Sequence, residues 1–444
     1  MPQWFLNCEV TRTGPTADKD KTLVQLSNRS GAFRDRWFTA APSVRRELLA
    51  TALTAISLGS RVEALVDDGA PAFGTLYTMY VAVRPLDRPL PAPPAVSDPR
   101  GYLAQVPRVV YRANDDHIHE FAIDPDSGRW GHFDMNAATG APPAAGDPFG
   151  YFHDVPRVVY RANDGTIYEL AIDPASGSWA DFDMTTATGA PPAVGDPSGY
   201  SAGVPRVIYR ARDGHIHELA IDPASGAWGR FDMTAATGAP PAAALDLAPF
   251  GYFHDVPRVV YWASDAHIHE FSIDPASGSW ADFDMTTATG APPAVGVPSG
   301  YSGVVPRVVH RANDGHIHEF AIDPASGSWG QFDMTAATGA PVPAARDVAP
   351  SGYFHDVPRV VYWASDAHIH EFSIDPASGS WADFDMTTAT GGPPTVGGPS
   401  GYSAGVPRVV YRANDGHIHE FSIDPASGTW RQFDLHDAVS EMPP

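Results

Sequence analysis

One unit near the end of the chain contains two strand-like segments joined by a turn: Val406-Pro407-Arg408-Val409-Val410-Tyr411-Arg412-Ala413-Asn414-Asp415-Gly416-His417-Ile418-His419-Glu420. The segment before the turn is rich in β-branched and aromatic residues, which favours a β-strand. Asn414, Asp415 and Gly416 tolerate positive φ, and they therefore predict a hairpin turn. The residues after the turn alternate in polarity like a second strand. The unit indicates antiparallel β-structure.

The same unit occurs seven times, and the valine of its Val-Pro-Arg phrase stands at Val106, Val155, Val204, Val256, Val305, Val357 and Val406. Successive valines are 49, 49, 52, 49, 52 and 49 residues apart. In the second copy, a third strand is expected from Trp179 to Met184 and a short fourth strand near Gly199 and Tyr200. Glycine (41) and proline (44) are frequent because the same turns are repeated in every copy.

Three or four antiparallel strands in each copy are compatible with a propeller or an open solenoid. A single small sheet cannot bury both of its faces, whereas seven sheets arranged radially bury their faces against one another. Seven lies within the usual range of about 4–8 blades, and no copy has degenerated into a solenoid cap. We therefore predict an all-β fold: a seven-bladed β-propeller.

The residues before the repeats form a separate region. Strand-like segments and one amphipathic helix over 43–58 follow the order β-β-β-α-β-β, which suggests a small α+β domain of the OB type. The predicted division is an N-terminal domain over 1–83, a proline-rich linker over 84–98 and the propeller over 99–436. The N-terminal domain is a candidate for homo-oligomerisation.

Composition excludes several classes of protein. The chain has 444 residues and a net charge of -23, from 29 basic and 52 acidic groups. This charge repels phosphate and argues against nucleic-acid binding. Cys8 is the sole cysteine, which excludes an intrachain disulfide and a cysteine-rich metal site. No apolar run is long enough to span a membrane, and the N-terminus lacks signal-peptide features, so we expect a cytoplasmic protein or one exported by a non-classical route.

The near-identity of the copies favours a multivalent binder, because an enzyme normally builds one site from unlike blades. Three residue types recur in every copy and together suit a sugar: a carboxylate and a guanidinium for the hydroxyls, and an aromatic ring for the C–H face. The glutamates are Glu120, Glu169, Glu218, Glu270, Glu319, Glu371 and Glu420. The arginines are Arg108, Arg157, Arg206, Arg258, Arg307, Arg359 and Arg408. The aromatic candidates are either the tyrosines such as Tyr102 and Tyr151 or the tryptophans Trp130, Trp179, Trp228, Trp280, Trp329, Trp381 and Trp430. A structural salt bridge with core aromatics is the alternative interpretation.

Other recurring groups give weaker indications. His-x-His occurs in six copies, but the second copy has Thr166 and Tyr168 there and no third ligand is obvious, so we expect inter-blade packing, no metal and no cofactor. His-Asp pairs at 153–154, 254–255 and 355–356 have no accompanying nucleophile motif, so a hydrolase is not expected. The Asn-Asp-Gly loops lack the alternating aspartates of a calcium loop.

The segment from Tyr411 to Glu420, followed by a turn and Trp430, resembles the blade motif of the bladed fucose-binding lectins, the Ralstonia and Aleuria type with six blades and the Photorhabdus type with seven. The resemblance spans about three quarters of the chain, roughly 100–435. It implies fucose binding in clefts between blades. It also implies that Glu120 and its counterparts grip the sugar while Trp130 and its counterparts stack on it.

The arginine departs from the family pattern. The relatives place the arginine two residues before the motif tyrosine. This chain has a valine at that position, for example Val109 in the first copy and Val409 in the seventh. Arg108 lies three residues before the tyrosine. A two-residue turn would place Glu120 on the strand face opposite Arg108, whereas a three-residue or bulged turn would place both side chains on one face.

The resulting prediction is a non-enzymatic, multivalent lectin with sites at blade junctions and with fucose-like or other neutral sugars as ligands. The alternative is a propeller scaffold for protein–protein interaction, with the His-Asp edge as the contact surface. The calculated charge is +2 for residues 1–95 and -25 for the remainder, so the acidity belongs to the repeats and argues against anionic glycans.

Overall fold

The computed structural model describes residues 3–15, 21–28, 35–58, 60–67, 74–85, 92–243, 247–253, 256–274, 276–302, 305–344, 348–354, 357–375 and 377–440. The chain divides into two compact units, Met1–Leu90 with Ser440–Pro444, and Pro91–Val439. No helix among these residues is long and apolar enough to cross a membrane.

The first unit contains a closed five-stranded barrel with the strand order β1-β2-β3-β5-β4. Its elements are β1 (Gln3–Pro15), β2 (Thr22–Asn28), β3 (Arg36–Ala40), α1 (Arg45–Leu58), β4 (Ser60–Asp67) and β5 (Gly74–Pro85). The pairing of β3 with β5 is parallel, and the other pairings are antiparallel. Leu48 and Ala52 on α1 join the buried barrel core around Phe38. The predicted OB-type domain is confirmed.

The second unit contains seven sheets of four strands, each followed by a short helix. Blade 1 comprises β6 (Arg100–Ala104), β7 (Val106–Arg112), β8 (Ile118–Ile123), β9 (Trp130–Asp134) and α2 (Met135–Thr139). Blade 2 comprises β10 (Phe149–His153), β11 (Val155–Arg161), β12 (Ile167–Ile172), β13 (Trp179–Asp183) and α3 (Met184–Thr188). Blade 3 comprises β14 (Ser198–Ala202), β15 (Val204–Arg210), β16 (Ile216–Ile221), β17 (Trp228–Asp232) and α4 (Met233–Thr237). Blade 4 comprises β18 (Ala248–Phe253), β19 (Val256–Trp262), β20 (Ile268–Ile273), β21 (Trp280–Asp284) and α5 (Met285–Thr289).

The remaining three blades repeat this order. Blade 5 comprises β22 (Ser299–Ser302), β23 (Pro306–Arg311), β24 (Ile317–Ile322), β25 (Trp329–Asp333) and α6 (Met334–Thr338). Blade 6 comprises β26 (Ala349–Phe354), β27 (Val357–Trp363), β28 (Ile369–Ile374), β29 (Trp381–Asp385) and α7 (Met386–Thr390). Blade 7 comprises β30 (Ser400–Ser403), β31 (Pro407–Arg412), β32 (Ile418–Ile423), β33 (Trp430–Asp434) and α8 (Leu435–Ser440).

The seven sheets form a closed ring. The first strands of consecutive blades contact one another, and β30 of blade 7 contacts β6 of blade 1. One face of each sheet packs on the opposite face of the next: Val110 and Ile118 of blade 1 share a buried cluster with Val158 and Leu170 of blade 2. The core therefore lies between blades, and the predicted seven-bladed β-propeller is confirmed.

Three local predictions need correction. The strand near Gly199 and Tyr200 is β14, the first strand of blade 3 and not the fourth strand of the second copy. The third strand of the second copy ends at Asp183 rather than Met184, because Met184 begins the helix α3, which we did not predict. The Asp183 side chain caps that helix by accepting a hydrogen bond from the Thr186 N–H. An aspartate directly before Met-Thr was the available sequence signal for this helix.

The segment predicted as a linker contains ordered structure at both ends. β5 extends to Pro85, and residues 86–91 lie outside the described part of the chain. Ala95 pairs with Ala113 of blade 1, and its N–H donates a hydrogen bond to the Gly416 carbonyl of blade 7 (3.0 Å). Residues 92–98 therefore contact both blades at the closure of the ring rather than forming a free tether.

Candidate functional site

The turn between the second and third strands of each blade determines which side chains share a face. In blade 1, Arg112 pairs with Ile118, and the Ala113 N–H donates to the His117 carbonyl (3.0 Å). Only three residues, 114–116, remain in the turn. The resulting register pairs Arg108 with Ala122 and Val110 with Glu120, so Arg108 and Glu120 lie on one face. The structure thus has the three-residue turn and not the two-residue turn.

An arginine–glutamate ion pair follows from this register in all seven blades. The Arg108 Nη1 atom lies 2.6 Å from the Glu120 Oε2 atom, and the corresponding distances in blades 2, 3, 5 and 7 are 2.7–2.8 Å. Arg258 pairs with Glu270, and Arg359 with Glu371. The glutamate side chains are only 1–4% exposed, whereas the arginine side chains are 14–17% exposed. The arginine is therefore the member of each pair that reaches solvent.

A tyrosine from the first strand completes the buried group. The Tyr102 hydroxyl donates to Glu120 Oε1 at 2.7 Å. The same bond, at 2.5–2.7 Å, is made by Tyr151, Tyr200, Tyr301 and Tyr402. The side chains of Tyr252 and Tyr353 lie outside what the structure describes. In each of these five blades, the tyrosine hydroxyl and the arginine guanidinium therefore hold the glutamate carboxylate from two sides.

Burial dominates the electrostatics of this group. Desolvation raises the pKa of Glu120 above its usual value, and the charge of Arg108 opposes that rise. Burial likewise raises the pKa of Tyr102 well above 10, so its hydroxyl stays protonated and remains a donor. In blade 6, burial raises the pKa of Glu371 to about 7 despite the neighbouring Arg359. A carboxylate with these partners fixes the arginine in place.

The predicted tryptophan reaches the ion pair from the next blade. At the junction of blades 7 and 1, Trp130 of blade 1 lines a cavity of about 650 Å³ together with Arg408 and Glu420 of blade 7. We call this space the junction cavity. At the next junction, the Arg108 guanidinium lies 6.0 Å from the ring centre of Trp179. The structure therefore brings the three predicted residue types together, and the following blade contributes the tryptophan.

A second aromatic residue of the cavity was missed in the sequence. Phe433 lines the junction cavity and lies opposite Glu420 across the pairing of β32 with β33. Its equivalents are 38–45% exposed in every blade: Phe133, Phe182, Phe231, Phe283, Phe332, Phe384 and Phe433. The available signal was a phenylalanine three residues after the tryptophan in all seven copies.

The histidines lie away from this cavity. The cavity is lined by the turn after the first strand (Ala404, Gly405) and the turn after the third strand (Asp424, Pro425), whereas His417 follows the turn after the second strand. In an antiparallel meander these turns lie at opposite ends of the blade. The structure also supplies what the sequence did not show, because two aspartates lie beside each described His-x-His pair.

The His-Asp edge is described only in part. The His153 ring lies 2.8 Å from the Ser201 hydroxyl of the next blade. Residues 254–255 and 355–356 lie outside the described residues. The described residues of this edge therefore provide no observation that supports a protein-contact surface.

Comparisons with known proteins give the fold. No protein-family model matches the chain, and no curated protein matches it. The solved structure of BP39L lectin from Burkholderia pseudomallei superposes with a TM-score of 0.54 at 14% identity, covering 76% of this chain and 97% of that lectin. This chain has the fold of a bladed lectin.

Two further solved structures are also similar. The Aleuria aurantia lectin, a six-bladed β-propeller with a novel fucose recognition mode, gives a TM-score of 0.44 at 17% identity, and the match covers 65% of this chain and 94% of that lectin. AofleA from Arthrobotrys oligospora gives 0.42 at 16% identity, with coverages of 65% and 85%.

Proposed function

We propose that this protein is a multivalent, non-enzymatic carbohydrate-binding protein whose sites lie at the blade junctions. The observation that supports the proposal is the junction cavity, in which Arg408 and Glu420 of one blade meet Trp130 of the next. A volume of about 650 Å³ lies within the range of about 300–1,000 Å³ typical of small-ligand sites.

Each group has a distinct task in the proposed site. The Arg408 guanidinium presents N–H donors to sugar hydroxyls, and Glu420, almost fully buried behind it, fixes its orientation. Trp130 and Phe433 offer apolar faces on which the C–H groups of a sugar ring pack. The buried position of Glu420 makes it a positioning residue in this proposal, with Arg408 as the main hydroxyl contact.

The ligand class follows from charge and from the motif. The repeats carry most of the acidic groups, so an anionic glycan would be repelled and a neutral sugar is preferred. The resemblance of the blade motif to the fucose-binding lectins makes L-fucose and fucosylated glycans the first ligands to test. Repetition of the arginine, glutamate and tryptophan in seven blades suits avidity, because a second weak site on one chain binds at high effective concentration.

The test is a glycan array probed with the full labelled chain, followed by titration with the sugars that score. The key variant replaces all seven blade tryptophans with alanine, and the single change Arg408→Lys removes the planar fork while keeping the charge. Leu53→Ala, an exposed apolar residue on α1, is the control. Circular dichroism and the thermal midpoint show whether each variant is folded.

We expect array binding to fall at least tenfold in the tryptophan variant and to be unchanged in Leu53→Ala. Titration should give one binding site fewer for Arg408→Lys. Absence of any glycan above background, or unchanged binding by the folded tryptophan variant, would refute the proposal.

A further inference from the structure

Two imidazoles and two carboxylates converge in six of the seven blades, at the end opposite the junction cavity. Their ligand atoms all lie within 4.8 Å of one another. We call each group a His–Asp cluster. Five of them are Asp115, His117, His119 and Asp134; Asp213, His215, His217 and Asp232; Asp265, His267, His269 and Asp284; Asp314, His316, His318 and Asp333; and Asp366, His368, His370 and Asp385. Blade 7 carries the equivalent residues Asp415, His417, His419 and Asp434.

Three ligand–ligand distances in the blade 3 cluster lie near the edge length of a zinc tetrahedron. His215 Nδ1 lies 2.9 Å from Asp232 Oδ2, and His217 Nε2 lies 2.9 Å from Asp213 Oδ2. His217 Nε2 lies 3.9 Å from Asp232 Oδ2. Tetrahedral zinc with metal–ligand distances of about 2.0–2.1 Å has ligand–ligand edges of about 3.3 Å. The observed distances lie on both sides of this value, so small side-chain rotations are enough to admit an ion.

The carboxylates are already oriented toward the imidazoles. Asp213 Oδ1 accepts the His215 N–H at 2.9 Å, and Asp232 Oδ1 accepts the Ala235 N–H at 2.9 Å as the cap of α4. Each aspartate therefore holds its Oδ1 on the backbone and directs its Oδ2 toward a histidine. Backbone bonds of this kind fix a ligand before the metal arrives.

Groups behind the buried histidine support the same geometry. In blade 4, the His269 Nδ1 atom lies 2.9 Å from Asp282 Oδ2, while its Nε2 atom faces Asp265. In blade 6, His370 has the same arrangement with Asp383 and Asp366. A carboxylate on the remote ring nitrogen is the usual partner of a metal-bound histidine, because it fixes the tautomer that leaves the other nitrogen free to bind.

We propose that each His–Asp cluster binds one divalent transition-metal ion of the Zn²⁺ class through two imidazoles and two carboxylates. Two imidazole ligands favour Zn²⁺ and its neighbours over Ca²⁺ and Mg²⁺, which prefer oxygen ligands. The cluster is open to solvent, since the side chains of His215 and Asp213 are 37% and 42% exposed. A bound ion would join the turn after the second strand to the end of the fourth strand in each of the six blades that carry a cluster.

Blade 2 is a natural control. It retains Asp164 and Asp183 at the carboxylate positions, but Thr166 and Tyr168 replace the two histidines. The two carboxylates alone lack the nitrogen ligands that the proposal requires. Blade 2 should therefore bind no ion.

The test is equilibrium dialysis of the untagged full chain against Zn²⁺, with bound metal counted by atomic emission. We expect about six ions per chain, one for each cluster. His215→Gln, at a partly exposed ring, should reduce the count by one. The double change Thr166→His and Tyr168→His should raise it by one. Co²⁺ in place of Zn²⁺ should give the visible absorption of a tetrahedral site, scaled to the same counts.

Binding of no more than one ion per chain, or a count that folded His215→Gln leaves unchanged, would overturn the proposal and leave the clusters as hydrogen-bonded pairs only. If the double variant of blade 2 does not fold, His215→Gln and the Co²⁺ spectrum still decide the question. The sugar titration of the junction cavity is independent of both readouts.

Discussion

At the scale of single residues, the arginine–glutamate pair is at once a structural element and part of the proposed site. Glu120 is buried with two partners, Arg108 and Tyr102. Its burial would be costly without them, since an unpaired buried charge is strongly destabilising. The two interpretations that the sequence left open, a salt bridge or a sugar contact, are therefore compatible: the same pair that stabilises the blade orients the guanidinium.

Glu120→Gln should destabilise the protein by about 3–5 kcal/mol, because it leaves the partly buried Arg108 without its counter-charge. The matched control is Asp116→Asn, which removes the exposed partner of Arg112 in the same blade; Asp116 is 58% exposed. That change should cost about 0–1 kcal/mol. Urea denaturation measures both. Equal effects of the two variants would contradict the assignment of a buried pair.

At the scale of elements, the three-residue turn is the feature on which the site depends. Its last residue has positive φ in all seven copies, for example Gly315 at 87°. Glycine adopts this conformation without a steric penalty. Blades 1, 4 and 6, however, have Asp116, Ala266 and Ala367 at this position, with φ of 62°, 68° and 69°. Aspartate tolerates this conformation better than alanine does, so the two alanine turns carry the most backbone strain.

Ala266→Gly should stabilise the protein by about 0.5–1 kcal/mol. The left-handed conformation costs an L-residue about 1–2 kcal/mol, and the greater entropy of glycine in the unfolded chain offsets about half of the gain. The reverse change, Gly315→Ala, should destabilise by a similar amount. Thermal unfolding of the two variants beside the parent chain tests the pair, and a lower midpoint for Ala266→Gly would disprove the strain.

At the scale of the whole molecule, the ring closes by packing and hydrogen bonds rather than by exchanging a strand. All four strands of blade 7 and all four of blade 1 come from their own copies. Across the closure, Asp98 accepts the Gly398 N–H at 2.8 Å, and the Gly101 N–H donates to the Ser400 hydroxyl at 3.3 Å. The Tyr402 ring lies directly over Gly101, where no Cβ could fit. The same contact occurs between Tyr102 and Gly150 at the junction of blades 1 and 2, so the closure repeats the packing of an ordinary blade junction.

Gly101→Ala should lower the stability of the ring by about 1–3 kcal/mol, because the added methyl group forces the Tyr402 ring away from its place on Glu420. Gly131→Ala in the same blade is the control, since its Cβ would lie 3.7 Å from the nearest atom. Thermal unfolding measures stability, and gel filtration shows whether the ring opens or exchanges blades. Equal midpoints for the two variants would show that closure does not rest on this contact.

The sequence alone determined the architecture because the information is local and repeated. The spacing of Val-Pro-Arg set the number of blades, and the order of strand and helix signals identified the OB-type barrel. The three recurring residue types were also readable, since each is constant among the copies. The short helices were missed because a helix of five residues has too few turns to show a periodic pattern.

Only the tertiary structure decided how these residues meet. Whether Arg108 and Glu120 share a face depends on whether the turn has two or three residues, and the sequence allowed both. Trp130 reaches Arg408 only because the ring closes, which joins residues at opposite ends of the repeat region. The aspartates reach the histidine pairs through strand pairing across the turn and at the end of the fourth strand. The sequence of the repeat thus determined which side chains are present. Strand register and ring closure, which are properties of the folded chain, determined which of those side chains meet.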